Sequence, residues 1–269
     1  MKNRNHRIIG VTLGLFCVAA PFSALRAQDA GADEARKGVE LAKDKKYDAA
    51  AEAFTRAIKA SPNNERHYSN RGKAYRAAGK SQEAEDDFTK VIELDPKDFN
   101  AYSERGKVRV GLKKYDEAIA DLTKAIDIEE GDIDSYRWRA FAHLSKNDYE
   151  NAISDYSFVI EEKPDDAQAL ERRAFAYRSA KRYDEAVEDL TKLVKKSPND
   201  ADMYRRRGVA YAEGGKHKEA IEDFEQVLKL KANDEDAQNR LKYSQSKLKG
   251  EGGAPAAAPG ASPAAKSSP

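Results

Sequence analysis

A chain of 269 residues, 35% of them charged, has room for one or two domains, yet its net charge is only +1. That balance supplies no general attraction to nucleic acid or to an anionic membrane surface. A single cysteine, Cys17, excludes an internal disulfide and a thiolate metal site.

The first predicted element is an export signal. Lys2, Arg4 and Arg7 precede an apolar run over residues 8–20, followed by "ALRA" and "QDA". The run is shorter than the ~20 residues that cross a bilayer as a helix. This order of basic, apolar and small residues predicts a signal peptide over 1–27, cleaved after Ala27, with Leu25 three residues before the cut. An uncleaved anchor is the alternative. Phe16 ahead of Cys17 departs from a lipidation site, so the chain is expected to be periplasmic or secreted, without a lipid and without a membrane span once the signal is gone. Losing the four bases of this segment changes the net charge from +1 to −3.

A repeated dozen follows. "YDAAAEAFTRAI" starts at Tyr47, and near-copies start at Ser81, Tyr115, Tyr149, Tyr183 and His217, each 34 residues after the last. A fixed period overrides a domain count taken from length. The units are 31–64, 65–98, 99–132, 133–166, 167–200 and 201–234. In the second, Tyr68, Gly72 and Tyr75 recur at helical spacing, a turn follows at Gly79-Lys80, and Ala84, Phe88, Val91 and Ile92 form a second stripe that Pro96 ends. Gly111 and Gly214-Gly215 are expected to mark the same turn elsewhere. Asn64, Asp98, Asp132, Asp166, Asp200 and Asp234 stand where helix N-caps belong. No strand alternation is found.

Tyr68, Gly72, Tyr75, Ala84, Phe88 and Pro96, with Tyr204, Gly208, Tyr211, Ala220 and Phe224, resemble the tetratricopeptide repeat pattern, and the resemblance covers residues 31–234. Glu34, Arg109, His143, Glu130 and Ala232 depart from it. The resemblance implies an all-α fold: a right-handed α-solenoid of about six helix-turn-helix units. Repetition has a physical reason, since one hairpin cannot bury its apolar face and stacked hairpins can. Residues 235–249, with a thin stripe of Ala237, Leu241 and Leu248, read as a capping helix. The Ala/Pro/Gly/Ser segment 250–269 reads as a disordered tail.

Five arginines (Arg71, Arg105, Arg139, Arg173, Arg207) hold the seventh position of units two to six. Five aspartates (Asp87, Asp121, Asp155, Asp189, Asp223) hold the twenty-third. Both positions lie on apolar stripes. The first unit has Lys37 and Ala53 there, so the two residue types appear and vanish together. Buried charges need partners, which predicts a structural ladder of ion pairs; the competing reading is a ligand site of stacked arginines. Each Asp could meet the Arg of its own unit or that of the next, and pairing within each unit is expected, because the next-unit scheme leaves Arg71 facing Ala53.

Catalytic chemistry is not found. Gly79-Lys80-Ser81 lacks the earlier glycine and the strand of a phosphate loop. His6, His67, His143 and His217 do not share a position, so no metal set emerges. No cofactor is implied, and the chain is not expected to be an enzyme.

Attention passes to the side that lines the concave groove in the resembling family: positions two, five, six, nine and twelve of each first helix. The early units place Arg66, Asn70, Lys73, Arg76, Asn100, Ser103 and Lys107 there. Later units place Arg137, Trp138 and Phe141; Arg172, Phe175 and Arg178; and Arg205 and Arg206. Glu104, Asp134 and Glu171 share this side. Aromatic and Arg side chains anchor interfaces, so the later set is the candidate site for an extended peptide or helix with apolar and acidic groups. Position six is read as outside the buried stripe, leaving Trp138 free to touch a partner. The alternative is that Trp138, Phe141 and Phe175 pack against adjacent helices. The expected function is an exported, non-catalytic protein-interaction scaffold. A second reading is an envelope accessory factor whose Arg178 and Arg205 touch an anionic glycan or lipid head group.

Overall fold

A computed structural model describes residues 22–250, with side chains from Gly31 onward. The predicted signal, apart from the start of the first helix, and the predicted tail lie outside the described residues. Helix α1 (Phe22–Lys43) is followed by α2 (Tyr47–Ala60), α3 (Glu65–Ala77), α4 (Ser81–Leu94), α5 (Phe99–Gly111), α6 (Tyr115–Ile128), α7 (Ile133–Ser145), α8 (Tyr149–Glu162), α9 (Ala167–Ser179), α10 (Tyr183–Lys196), α11 (Ala201–Glu213), α12 (His217–Leu230) and α13 (Glu235–Leu248). Each helix packs on the next, and α1 touches α3, α3 touches α5, α5 touches α7 and α11 touches α13. Contact confined to near neighbours in the chain is what defines a solenoid.

Local chemistry sets the helix boundaries. Asn64, Asp98, Asp132, Asp166, Asp200 and Asp234 each accept a hydrogen bond from a backbone N–H in the first turn of the helix that follows. Inside each hairpin the second helix presents an alanine with no exposure, at Ala50, Ala84, Ala118, Ala152, Ala186 and Ala220. One turn on it presents a large side chain, such as Phe88, Leu122 or Tyr156, that is also fully covered. That side chain meets a small residue on the first helix. A Cβ on Gly106 would stand 2.7 Å from Leu122 Cγ, which is why only hydrogen fits there.

The inter-helix turn needs one left-handed residue in every unit, and it falls at the same place: Lys45, Gly79, Lys113, Asn147, Lys181 and Gly215, with φ between 61° and 78°. Two glycines expected to make this turn do not. Gly111 is the last residue of α5, and Gly214 caps α11 with φ −79°. The left-handed backbone of these turns falls on Lys113 and Gly215 instead. Gly79-Lys80-Ser81 is the α3–α4 turn, with Lys80 paired to Asp48 at 2.8 Å. Related pairs tie later turns to the preceding hairpin: Lys146 to Asp116, Arg182 to Glu150 at 3.1 Å and Lys216 to Asp184 at 2.8 Å. These exposed pairs add little stability each.

The Arg–Asp ladder is paired within each unit. Arg139 donates from Nε to Asp155 Oδ2 at 2.9 Å and from Nη2 to Oδ1 at 2.7 Å. Arg71, Arg105, Arg173 and Arg207 repeat this fork on Asp87, Asp121, Asp189 and Asp223. The remaining guanidinium nitrogen donates to a hydroxyl of the preceding unit: Thr55, Thr89, Thr123, Ser157 or Thr191. Each rung therefore closes its own hairpin and fastens it to the one before. The first unit supplies only the hydroxyl, and α13 carries Leu241 where an arginine would stand, so the ladder ends at both ends of the array.

Two departures from the repeat pattern compensate one another. Arg109 donates to Glu85 at 2.8 Å and to Asp121 at 2.8 Å, and Lys114 reaches Glu85 at 2.7 Å. The buried Glu85 and the cationic Arg109 thus replace an aromatic contact with an ion pair across α4 and α5. Burial works to raise the Glu85 pKa, but Lys114 and Arg109 outweigh it and hold the group ionised. His143 similarly faces Asp148, the N-cap of α8, at 2.9 Å.

Candidate partner-binding groove

Odd-numbered helices carry the candidate site. Trp138 does not stand clear of the core. It is only 9% exposed and packs in a cluster with Val110 of α5 and with Ala118 and Leu122 of α6. Position six lies at the margin of its own helix's stripe, but a large indole reaches back into the joint between the third and fourth units. The expectation that Trp138 lies outside the buried stripe is therefore corrected. Its ring meets Phe141 edge-on, with centroids 6.4 Å apart.

Phe141 and Phe175 are half-buried, each with one side against the core. Arg172 of α9 stacks over the Phe141 ring of α7 at 4.8 Å, so the sets from the fourth and fifth units do meet in one strip. Arg178 lies over Phe175 at 5.9 Å. Arg172 is 9% exposed and lies beside the buried Tyr156. Burial pushes the Tyr156 phenol pKa up, with Arg172 and Arg137 pulling the other way. Arg172 is thus part of the wall, a cation held flat on an aromatic ring.

The other arginines face carboxylates of this same chain. Arg137 donates to Asp166, the N-cap of α9, at 2.7 Å. Burial raises the Asp166 pKa, but Arg137 and the first N–H groups of α9 overcome it and bring it below the usual range. Arg205 makes the equivalent pair with Asp234, the N-cap of α13, and also grips Asp202. Arg206 meets Glu171 at 3.0 Å and Arg178 meets Glu213 at 3.3 Å. Arg205 and Arg206 do not join the aromatic strip. The expected basic border is charge-matched from within, and the acids Glu171, Asp202 and Glu213 are as much a part of the surface as the arginines.

The earlier units are laced in the same way. Arg76 reaches Glu104 at 3.0 Å, and Lys107 lies between Glu104 at 3.2 Å and Asp134 at 2.8 Å. Burial would lower the Lys107 pKa; the two carboxylates outweigh it and raise it. Ser103 Oγ sits 2.8 Å from Ser135 Oγ, which bonds Asp132. Lys107–Glu104 is a pair within one helix, but Arg76–Glu104, Lys107–Asp134 and Ser103–Ser135 join residues roughly one repeat apart, and only the superposition of helices brings those together.

Among the described residues no group of His, Cys, Asp or Glu is placed to hold a metal ion, and no helix is long and apolar enough to cross a membrane.

Tetratricopeptide repeat models match residues 35–64, 66–98, 99–132, 139–201 and 176–237. No curated protein matches the chain. Among solved structures, YrrB, described as a TPR protein with an unusual peptide-binding site, aligns with a TM-score of 0.65 at 22% identity, over 71% of this chain and 99% of that one. MamA aligns with a TM-score of 0.58 at 25% identity, over 67% and 94%. A tetratricopeptide repeat protein from Parabacteroides merdae ATCC 43184 aligns with a TM-score of 0.55 at 22% identity, over 82% and 88%. With repeat matches spanning most of residues 35–237, through the thirteen helices of the described residues, the chain belongs to the tetratricopeptide repeat family.

Proposed function

We propose that this protein is an exported, non-catalytic scaffold that docks a segment of a partner protein in the groove lined by its odd-numbered helices. The observation that carries this reading is the strip of Trp138, Phe141, Arg172, Phe175 and Arg178. Two half-buried rings there keep accessible edge beside guanidinium groups that other contacts already hold in place. Rigid aromatic and Arg side chains lose little entropy on binding, which favours them as anchors. The fold shared with YrrB, whose description includes a peptide-binding site, is compatible with this role. Export rests on the order of charges and apolar residues in the first 27 positions, and mass spectrometry of the mature N-terminus tests it: a start near Gln28 is expected, and an intact Met1 favours an anchor.

The glycan or lipid-head-group alternative loses support from the charge pairing. Arg178 and Arg205, the residues it relies on, already face Glu213, Asp202 and Asp234. Full chain immobilised as bait, beside Phe175→Ser and Ala120→Ser variants, tests the groove. Retention of a protein by the full chain and by Ala120→Ser, but not by Phe175→Ser, is expected. Equal retention by all three moves the docking surface elsewhere.

A further inference from the structure

The groove reading leaves the chemistry of its occupant open, and the pairing of charges narrows it; this inference rests on that reading. The cations of the fourth to sixth units are matched by the chain's own acids, as Arg137 is by Asp166, Arg206 by Glu171 and Arg178 by Glu213. A carboxylate arriving there would have to displace one already bonded and would meet the neighbouring acid. Conditions on α3 are different. Lys73 is exposed and has no carboxylate within ion-pair distance among the described residues. Arg66, on the same helix, has a side chain 86% exposed and, among the carboxylates of the described residues, approaches only Glu65, at 4.0 Å. Asn70 lies between them in sequence on the same side.

We propose that the groove takes a polarised segment. An uncharged stretch bearing an aromatic or branched side chain lies on Phe141 and Phe175, and one acidic group lies over α3, at Lys73. The two places are two to three repeats apart. Neighbouring packed helices stand about 8–10 Å from one another, so the separation is about 20–30 Å, or about six to nine residues of extended chain at ~3.3 Å each. Position nine of the six units reads Val39, Lys73, Lys107, Phe141, Phe175, Val209. Lys107 is enclosed by Glu104 and Asp134, which leaves Lys73 as the cation this row offers to a ligand. The aromatic contact holds at high salt, and the Lys73 contact is screened.

A library of random twelve-residue peptides displayed on phage, selected on the full chain, supplies the probe. Affinities of synthetic selected peptides are then measured by fluorescence anisotropy, with circular dichroism on each variant. Selected peptides are expected to carry an apolar cluster with an Asp or Glu about six to nine positions away. Lys73→Glu should weaken the acid-bearing peptides about tenfold and turn the preference toward Lys or Arg at that position, a shift of ~1.4 kcal/mol by the tenfold conversion. Phe175→Ser should weaken them at least as much, with or without the acid. Phe175→Leu keeps an apolar side chain against the core while removing the ring, and serves, with weakened binding expected, if the serine variant loses helicity. If acid preference follows Arg178→Glu or Arg206→Glu and ignores Lys73→Glu, the polarity is wrong while the groove stands. If no peptide is enriched, or binding ignores the Phe175 substitutions, the groove reading falls and the polarity with it.

Discussion

Arg139 holds Asp155 with two parallel hydrogen bonds, 2.9 and 2.7 Å long, and places its third nitrogen 3.1 Å from Thr123 of the preceding hairpin. The fork is nearly covered, with side-chain exposures of 18% and 6%. It is one of five equivalent rungs, so the fourth unit reports on the whole ladder.

Asp155→Ala leaves the Arg139 charge buried and uncompensated and should cost about 3–5 kcal/mol. Replacing Arg139 and Asp155 together by leucine should cost much less, because no lone charge remains. Urea unfolding followed by circular dichroism measures both. A double change as costly as the two single changes summed would show that the fork carries no coupling.

The turn residues make a second, independent test. Lys181 holds φ 62° without glycine's freedom, while Gly79 takes the same region with no atom within 4 Å of an added Cβ. Lys181→Gly should therefore stabilise the chain by about 1 kcal/mol, and Gly79→Ala should destabilise it by a similar amount. Thermal melts of both variants are expected to move in opposite directions.

Trp138 carries packing as well as any contact it makes with a partner. Trp138→Ala should cost about 3–5 kcal/mol through the cavity left against Val110 and Leu122. Arg206→Ala, at an exposed position, should change stability little. A Trp138→Ala protein with an unchanged melting curve would place the indole outside the core.

His67 introduces a pH dependence. It is 7% exposed, its Nδ1 has no hydrogen-bond partner among the described residues, and burial lowers its pKa from the ordinary 6.5 against the opposing pull of Glu65. The folded chain thus holds a neutral imidazole that the unfolded chain protonates more readily. Its contribution is complete above about pH 6.5 and is lost as pH falls through the lowered folded value. His67→Met, which follows Met203 at the same place in the last unit, should flatten the stability profile below about pH 6.5. An unchanged slope would assign the dependence to other groups.

Much of the architecture was legible because it depends on spacing. The period of 34, the six N-caps and the coincidence of Arg with Asp each follow from chemistry local to one hairpin. What escaped depends on the neighbouring hairpin. Trp138 looks free on its own helix and is covered by α5 and α6. Arg205 looks like an open cation until α13 brings Asp234 to it. Arg109 looks like a flaw in the pattern, and stacking gives it the buried Glu85 as an ion-pair partner. Gly111 is a false marker of the turn: glycine near a turn suggests the left-handed position, whereas the backbone places that residue at Lys113.

Site-specific photo-crosslinking in the native organism tests the central claim, docking in the groove, most directly. A benzophenone amino acid replaces Phe175 on the groove side, or Ala120 on the exposed outer face of α6. The groove account predicts one discrete protein adduct from position 175 and none from position 120. An adduct from position 120 alone, or none from position 175, would contradict it.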